Sequence, residues 1–201
     1  LSEANGERLL SSLKWPIETI FTGLKPAYNT SAANPNQYRD WHRFSLLTDN
    51  VIENVAVAQS KYGLAAEAYS AHRSAVSRQA TERLVYAVST PTVETLAIRA
   101  QSVPIYNAFK SRFFQDYVPL NYGGENIATP EDSGSCMINF CFFPGTYQPS
   151  GHINVSRTRE FYLDYTSNYC GAATQCDLVV EATAINFLLI TDGNAILRYT
   201  T

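Results

Sequence analysis

The sequence predicts an all-β chain, an antiparallel two-sheet sandwich or jelly roll, and three observations carry that expectation. Apolar and polar residues alternate with a period of two in several stretches, most clearly from Ile153 onward. Turn residues punctuate those stretches, so about eight strands are expected, with one helix at most. Aromatic side chains are abundant, with thirteen Tyr and ten Phe, and they favour a pleated, half-buried surface.

A chain of 201 residues suits one large or two small domains and can bury a sizeable core. Its formal net charge of -3 offers no general attraction to nucleic acid or anionic lipid. No apolar run approaches the roughly 20 residues of a membrane span, and the N-terminus lacks the charged and apolar regions of a signal peptide. Leu1 is not a methionine and Met137 is the only one, so the chain reads as a fragment whose N-terminal part is missing. Cys136, Cys141, Cys170 and Cys176 show no Cys-x-x-Cys spacing. Buried thiols, disulfides and metal ligands all stay open for them. Cys136 and Cys141 fall on opposite faces of one strand, which argues against a bond between that pair.

Taken in order, Leu1 to Ser12 reads as a polar lead-in with a short helical tendency. Trp15 to Leu24 is β-prone, and Pro16 confines it to a strand start or an edge, with Gly23 and Pro26 closing it. Asn29 to Arg43 is loop chemistry around Asn34, Pro35 and Asn36. Asn29-Thr30-Ser31 and Asn154-Val155-Ser156 fit the glycosylation pattern, which without a secretory signal is read as unused. Ala and Ser dominate Val55 to Gln79, where Leu64, Ala68, Ala71 and Ala75 keep helical spacing; a small helix and an extended surface insertion both remain open. Two strands broken at Thr90-Pro91 follow, with Leu96 and Ile98 facing one way and Thr95, Ala97 and Arg99 the other. Tyr106 to Tyr117 fits a short helix or a strand pair. A long turn-rich connection, Asn121 to Ser135, leads into Cys136 to Phe143, a strand apolar on both faces and so expected between layers. Leu178 to Thr191 is β-branched and strand-prone, and Asp192-Gly193 then turns it back as a hairpin with Ala195 to Thr200.

The segment Tyr147 to Tyr162, YQPSGHINVSRTREFY, organises the rest. Pro149, Ser150 and Gly151 make a turn, and a strand is expected after it with Ile153, Val155, Phe161, Leu163 and Tyr165 inward. Arg157 and Arg159 interrupt that apolar face. They imply a bend that ends one face and starts another, or an inward guanidinium held by carboxylates and carbonyls. Eleven Arg against four Lys fit positive charge used in fixed, forked contacts. For the two arginines, an internal clamp at the base of the Gln148 to Gly151 turn ranks ahead of a subunit contact.

The same segment resembles the signature of the major capsid proteins of African swine fever virus and its amoebal relatives. LKWPIE at Leu13, GLKP at Gly23, RDWH at Arg39, YGG at Tyr122, TPED at Thr129, DLVV at Asp177, AINFLL at Ala184 and LRY at Leu197 resemble family segments in the family's order. The similarity runs from about Leu9 onward, with a gap between roughly Leu46 and Gln79. The resemblance implies the C-terminal jelly roll of a double jelly-roll protein, with residues 1–12 a lead-in, 13–201 the jelly roll and a surface insertion at about 46–79. The structural motif is then Tyr147, Gln148, Pro149, Ser150, Gly151, His152, Arg157 and Arg159. Homotrimers of pseudo-hexagonal outline would tile an icosahedral shell, beside neighbouring capsomers and minor capsid proteins. Folding would involve a viral chaperone, assembly would take place in the host cytoplasm, and the virion capsid would be the destination. No cofactor, metal, catalytic residue or direct nucleic-acid contact is implied.

Without the resemblance, a carbohydrate-binding jelly roll using Trp15 and Trp41 comes first, and a cupin-like metal enzyme built on His42, His72 and His152 second. None of those histidines has metal-ligand spacing, and no Gly-x-Ser-x-Gly supports a serine nucleophile. Gly123-Gly124 lacks the following Lys-Ser or Lys-Thr of a phosphate loop. Glu131 and Asp132 read as solvated loop residues before they read as a glycosidase pair.

Overall fold

The computed structural model describes residues 1–53, 83–156, 158 and 160–199. In chain order the strands are β1 Asn5–Leu9, β2 Pro16–Pro26, β3 Ser45–Glu53, β4 Arg83–Pro91, β5 Val93–Ala100, β6 Val103–Lys110, β7 Cys136–Asn139, β8 Ile153–Asn154, β9 Phe161–Ser167, β10 Cys176–Ala184, β11 Leu188–Thr191 and β12 Asn194–Leu197. The helical pieces are short: α1 Ala27–Thr30, α2 Gln37–Asp40, and a π turn at Phe113–Tyr117 that runs into α3 Val118–Tyr122. The chain divides into two units, Leu1–Leu46 with Thr90–Thr201, and Leu47–Ser89.

Two four-stranded sheets build the first unit. One runs β1-β9-β5-β6; the other runs β10-β2-β7, with β8 continuing β7's side of β2. All pairings in both are antiparallel. The core lies between them. Ile17, Ile20 and Leu24 from β2 and Leu96, Ile98, Phe161 and Leu163 from the opposite sheet are at most 2% exposed. Each such side chain contributes about 1.5–3 kcal/mol on burial. β9 shows the expected alternation without a break, buried at Phe161, Leu163, Tyr165 and Ser167 and half-buried between them.

Strand β2 begins at Pro16, the strand-start option, and it is central in its sheet. Gly23 does not close it. That glycine pairs with Val179 in mid-strand, where an added Cβ would lie 2.6 Å from the Phe44 ring. A bulge between Thr183 and Ala184 lets Ile17 share the inward side with Ile20 despite the odd spacing.

Several expectations are corrected. The helical tendency of Leu1 to Ser12 gives way to β1, which pairs along the whole length of Asn5–Leu9 with β9; ladder hydrogen bonds outweigh weak local propensity. The one-helix limit fails because, among the described residues alone, three short α turns and a π turn lie in the connections. The strand expected over Cys136 to Phe143 stops at Asn139, whose side chain bonds Cys141 at both N and O and turns the chain. Phe142 and Phe143 therefore stand exposed. The long strand from Leu178 breaks at Ile185 to Phe187 into β10 and β11. The Asp192-Gly193 hairpin is observed, with φ of 50° and 80° at its two turn residues.

The second unit contains most of β3 and β4, which pair as a two-stranded sheet. The helical spacing at Leu64, Ala68, Ala71 and Ala75, and most of the insertion expected at about 46–79, lie outside the described residues.

Candidate assembly surface

The organising segment carries the chain from one sheet to the other. Gly145, at φ +71°, and Thr146 start its turn; the Thr146 hydroxyl lies 2.9 Å from the carbonyls of Phe143 and Gln148. Ser150 Oγ accepts from the Phe143 N–H at 2.7 Å. Gly151 takes φ +152°, and an added Cβ there would sit 3.2 Å from the Phe140 carbonyl. Pro149 is exposed and Tyr147 stands fully in solvent. Ile153 and Asn154 then pair with Ile17 and Pro16 of β2.

The sheet change follows at once. Ser156 Oγ accepts from the Trp15 N–H at 2.9 Å, where Trp15 has φ +73°. Thr158 N–H donates to the Val155 carbonyl at 3.0 Å, closing a turn, and Glu160 O accepts from Gln101 N on the opposite sheet at 2.8 Å. Val155 and Phe161, on either side of this turn, are both buried. Arg157 and Arg159 lie outside the described residues.

Beside this turn opens a cleft of about 830 Å³ whose walls are chiefly apolar and aromatic. Its aromatic wall is a stack: Phe109 on Phe113 at 4.5 Å, Phe113 on Tyr117 at 5.2 Å, and Tyr122 edge-on to Tyr117 at 6.2 Å. The π turn presents Phe113 and Tyr117, and Phe109 stacks on Phe113 from the end of β6. Tyr106 donates its hydroxyl to the Asn139 carbonyl at 2.6 Å, and burial pushes that hydroxyl's pKa up. His152 also lines the cleft and faces Glu18, whose carboxyl burial raises and the histidine's charge lowers. The segment FKSRFFQDY fits a short helix and a strand pair equally well, so its sequence does not single out this wall.

The outer face of the β1-β9-β5-β6 sheet is polar. Arg99 donates to Asp164 at 2.8 Å, bonds Glu7 and lies 4.5 Å over the Tyr162 ring. The Asp164 hydrogen bond comes first among the causes that raise the guanidinium's pKa. Asp132, read as a solvated loop residue, instead accepts from the Phe44 N–H and the Ser45 hydroxyl, tying the long connection to the start of β3. Glu131 is exposed.

No metal-binding group of three His, Cys, Asp or Glu occurs among the described residues. All four cysteines are buried free thiols, and desolvation raises Cys136 to about 12. Trp15 is half-buried, and Trp41 has Lys25 over its ring at 5.7 Å and His42 against its edge. Asn29 is 2% exposed and donates to the Ser45 carbonyl, which withdraws it from glycosylation. His72 lies outside the described residues.

The β11-β12 hairpin adds exposed apolar ground, with Leu188, Leu189, Ile190, Ile196 and Leu197 all 48–72% exposed. Contiguous exposed apolar ground of this kind marks a contact surface.

The fold is that of viral capsid jelly rolls. The faustovirus major capsid protein superposes with a TM-score of 0.77 at 36% identity, over 95% of this chain and 32% of that one. The VP54 protein of PBCV-1, fitted into a reconstruction of the virophage Sputnik, shares the fold at TM-score 0.58 and 19% identity, over 98% of this chain and 46% of that one. The chain belongs to the large eukaryotic DNA virus major capsid protein family, whose model matches residues 22–196. It is 42% identical over 196 residues to the major capsid protein of an African swine fever virus isolate from Kenya, and equally to the hexon protein p72 of a Malawi isolate. These matches cover 97% of this chain and 30% of each relative, so the chain spans about a third of their length.

Proposed function

We propose that this chain is the C-terminal jelly-roll part of a major capsid protein that forms homotrimers of pseudo-hexagonal outline, which tile the icosahedral shell of a large DNA virus. The observation that carries this reading is the match to the faustovirus capsid protein over 95% of the chain. The family is not an enzyme class, and the surface suits mechanical work. Aromatic and apolar groups in fixed positions bury area at a reduced ordering cost, and polar outer faces such as Arg99-Asp164-Glu7 keep sheets from collapsing on one another.

In this reading residues 1–12 lead in from the N-terminal part and supply β1 to the sandwich, 13–201 form the rest of the jelly roll and about 46–79 form a surface insertion outside the sandwich core. The turn at Gln148 to Gly151 is clamped by Arg157 and Arg159. Partners are neighbouring capsomers, minor capsid proteins and a viral folding chaperone, and assembly takes place in the host cytoplasm. The sugar-binding reading is not supported: Trp15 is half-buried, and Trp41, though exposed, has Lys25 over its ring and His42 at its edge. Antibody raised against this chain should decorate the outer shell of purified virions in immunogold images. Label confined to the interior, or absent from intact and opened particles alike, would overturn the proposal.

A further inference from the structure

Two of the four buried thiols face each other. Cys136 directs its thiol to the Ser111 carbonyl at 4.0 Å and Cys141 to the Asn139 side chain at 3.1 Å. Cys176 instead shares a hydrogen bond with the thiol of Cys170; burial comes first among the causes that raise the Cys176 pKa, and this contact comes second.

The turn between β9 and β10 brings the pair together, where the chain passes from the β1-β9-β5-β6 sheet to the β10-β2-β7 sheet. Gly171 and Thr174 exchange backbone hydrogen bonds at 3.0 and 3.2 Å, and that reciprocal pair holds the two arms of the turn side by side. Cys170 precedes it on one arm and Cys176 follows it on the other. Both backbones are anchored. Cys170 N–H donates to Ser167 Oγ at 3.0 Å, and the Ser167 hydroxyl donates to the Thr92 carbonyl at 2.5 Å. Cys176 N–H donates to the Leu1 carbonyl at 3.0 Å, and Cys176 stands opposite Pro26 of β2.

We propose that Cys170 and Cys176 form an oxidation site, which a disulfide oxidant closes into a bond fastening the end of β9 to the start of β10. The inference goes beyond the capsid reading and does not depend on it. Cys170 is 5% exposed and Cys176 0%, so Cys170 reacts first. Its thiolate attacks one sulfur of glutathione disulfide and expels a glutathione thiolate; the Cys176 thiolate then attacks the Cys170 sulfur of that mixed disulfide and expels the second. Two protons and two electrons leave the cysteines and appear in two glutathione thiols.

The test uses the full-length protein, reduced and then freed of reductant. It is incubated with glutathione disulfide in urea below the unfolding transition, so that local opening at the exposed Ala172-Ala173 tip admits the oxidant. The protein is then unfolded in iodoacetamide, digested with trypsin and read by mass spectrometry. Cys170 and Cys176 fall on one peptide, Glu160 to Arg198, and Cys136 and Cys141 on another, Phe113 to Arg157, which serves as the comparison. The expected product is the Glu160 to Arg198 peptide unalkylated and two hydrogens lighter than its dithiol, closed at least tenfold more than the comparison peptide. Recovery of Glu160 to Arg198 with both cysteines alkylated, or with glutathione retained on either, overturns the inference. Equal closure of the two peptides overturns it as well, because the oxidation would then owe nothing to the contact.

Discussion

Replacing Asp132 with Ala tests whether the long connection is a structural tie. The carboxylate accepts from the Phe44 N–H and from the hydroxyl of Ser45, a residue that is 0% exposed. Removing it takes the carboxylate acceptor away from both donors, one of them on a residue out of reach of water. Hydrogen bonds to a charged acceptor are worth about 1.5–3 kcal/mol each, and the partial exposure of Asp132 discounts the pair to about 3 kcal/mol in total. For a domain of this size that is a fall of roughly 6–12 °C in melting temperature. Thermal unfolding followed by circular dichroism reads it directly. The neighbour Glu131 is exposed, so Glu131→Ala should stay within about 0.5 kcal/mol of wild type. Equal, small effects of both substitutions would refute the tie and return the segment to a solvated loop.

Three further outcomes are expected. The Arg39 hydrogen bond, helped by Asn34 and the Arg43 charge and opposed by burial, holds the Asp40 carboxyl below its ordinary value. Its stabilisation is present above the unfolded pKa of about 3.9 and lost as pH falls through the lower folded value, so Asp40→Asn should flatten the acid limb of a melting-versus-pH curve; identical limbs would contradict this. With Cys136 raised to about 12 and all four thiols buried, labelling by a thiol reagent at pH 8 should be slow in the native state and complete after unfolding; rapid native labelling of Cys136 would count against the packing. Arg157→Ala or Arg159→Ala should lower trimer yield, and normal yield and melting for both would remove the clamp from the account.

What the sequence revealed followed from local rules. The alternation at Phe161, Leu163 and Tyr165 and the Asp192-Gly193 reversal need no knowledge of distant residues, and both are observed. Whether the interruption at Arg157 and Arg159 is a bend or an inward guanidinium lies outside the described residues. Failures came where distant partners decide. β1 forms because β9 offers it a ladder, and Gly23 stays in mid-strand because Phe44 arrives from elsewhere in the chain. Asn139 ends β7 by bonding its own neighbours, a competition between side chain and backbone that an apolar period hides. The cleft stayed unseen because it is assembled from β6, the π turn, β7 and β8. The hairpin was legible as a reversal, but its exposure on both faces was not.

The central claim is that the full protein is a capsid subunit built to associate. The most direct measurement is the mass of the full-length protein by light scattering, with negative-stain images of the same peak. The account predicts a mass three times that of the chain and particles of hexagonal outline. A compact monomer at micromolar concentration, with no hexagonal particles, would contradict it.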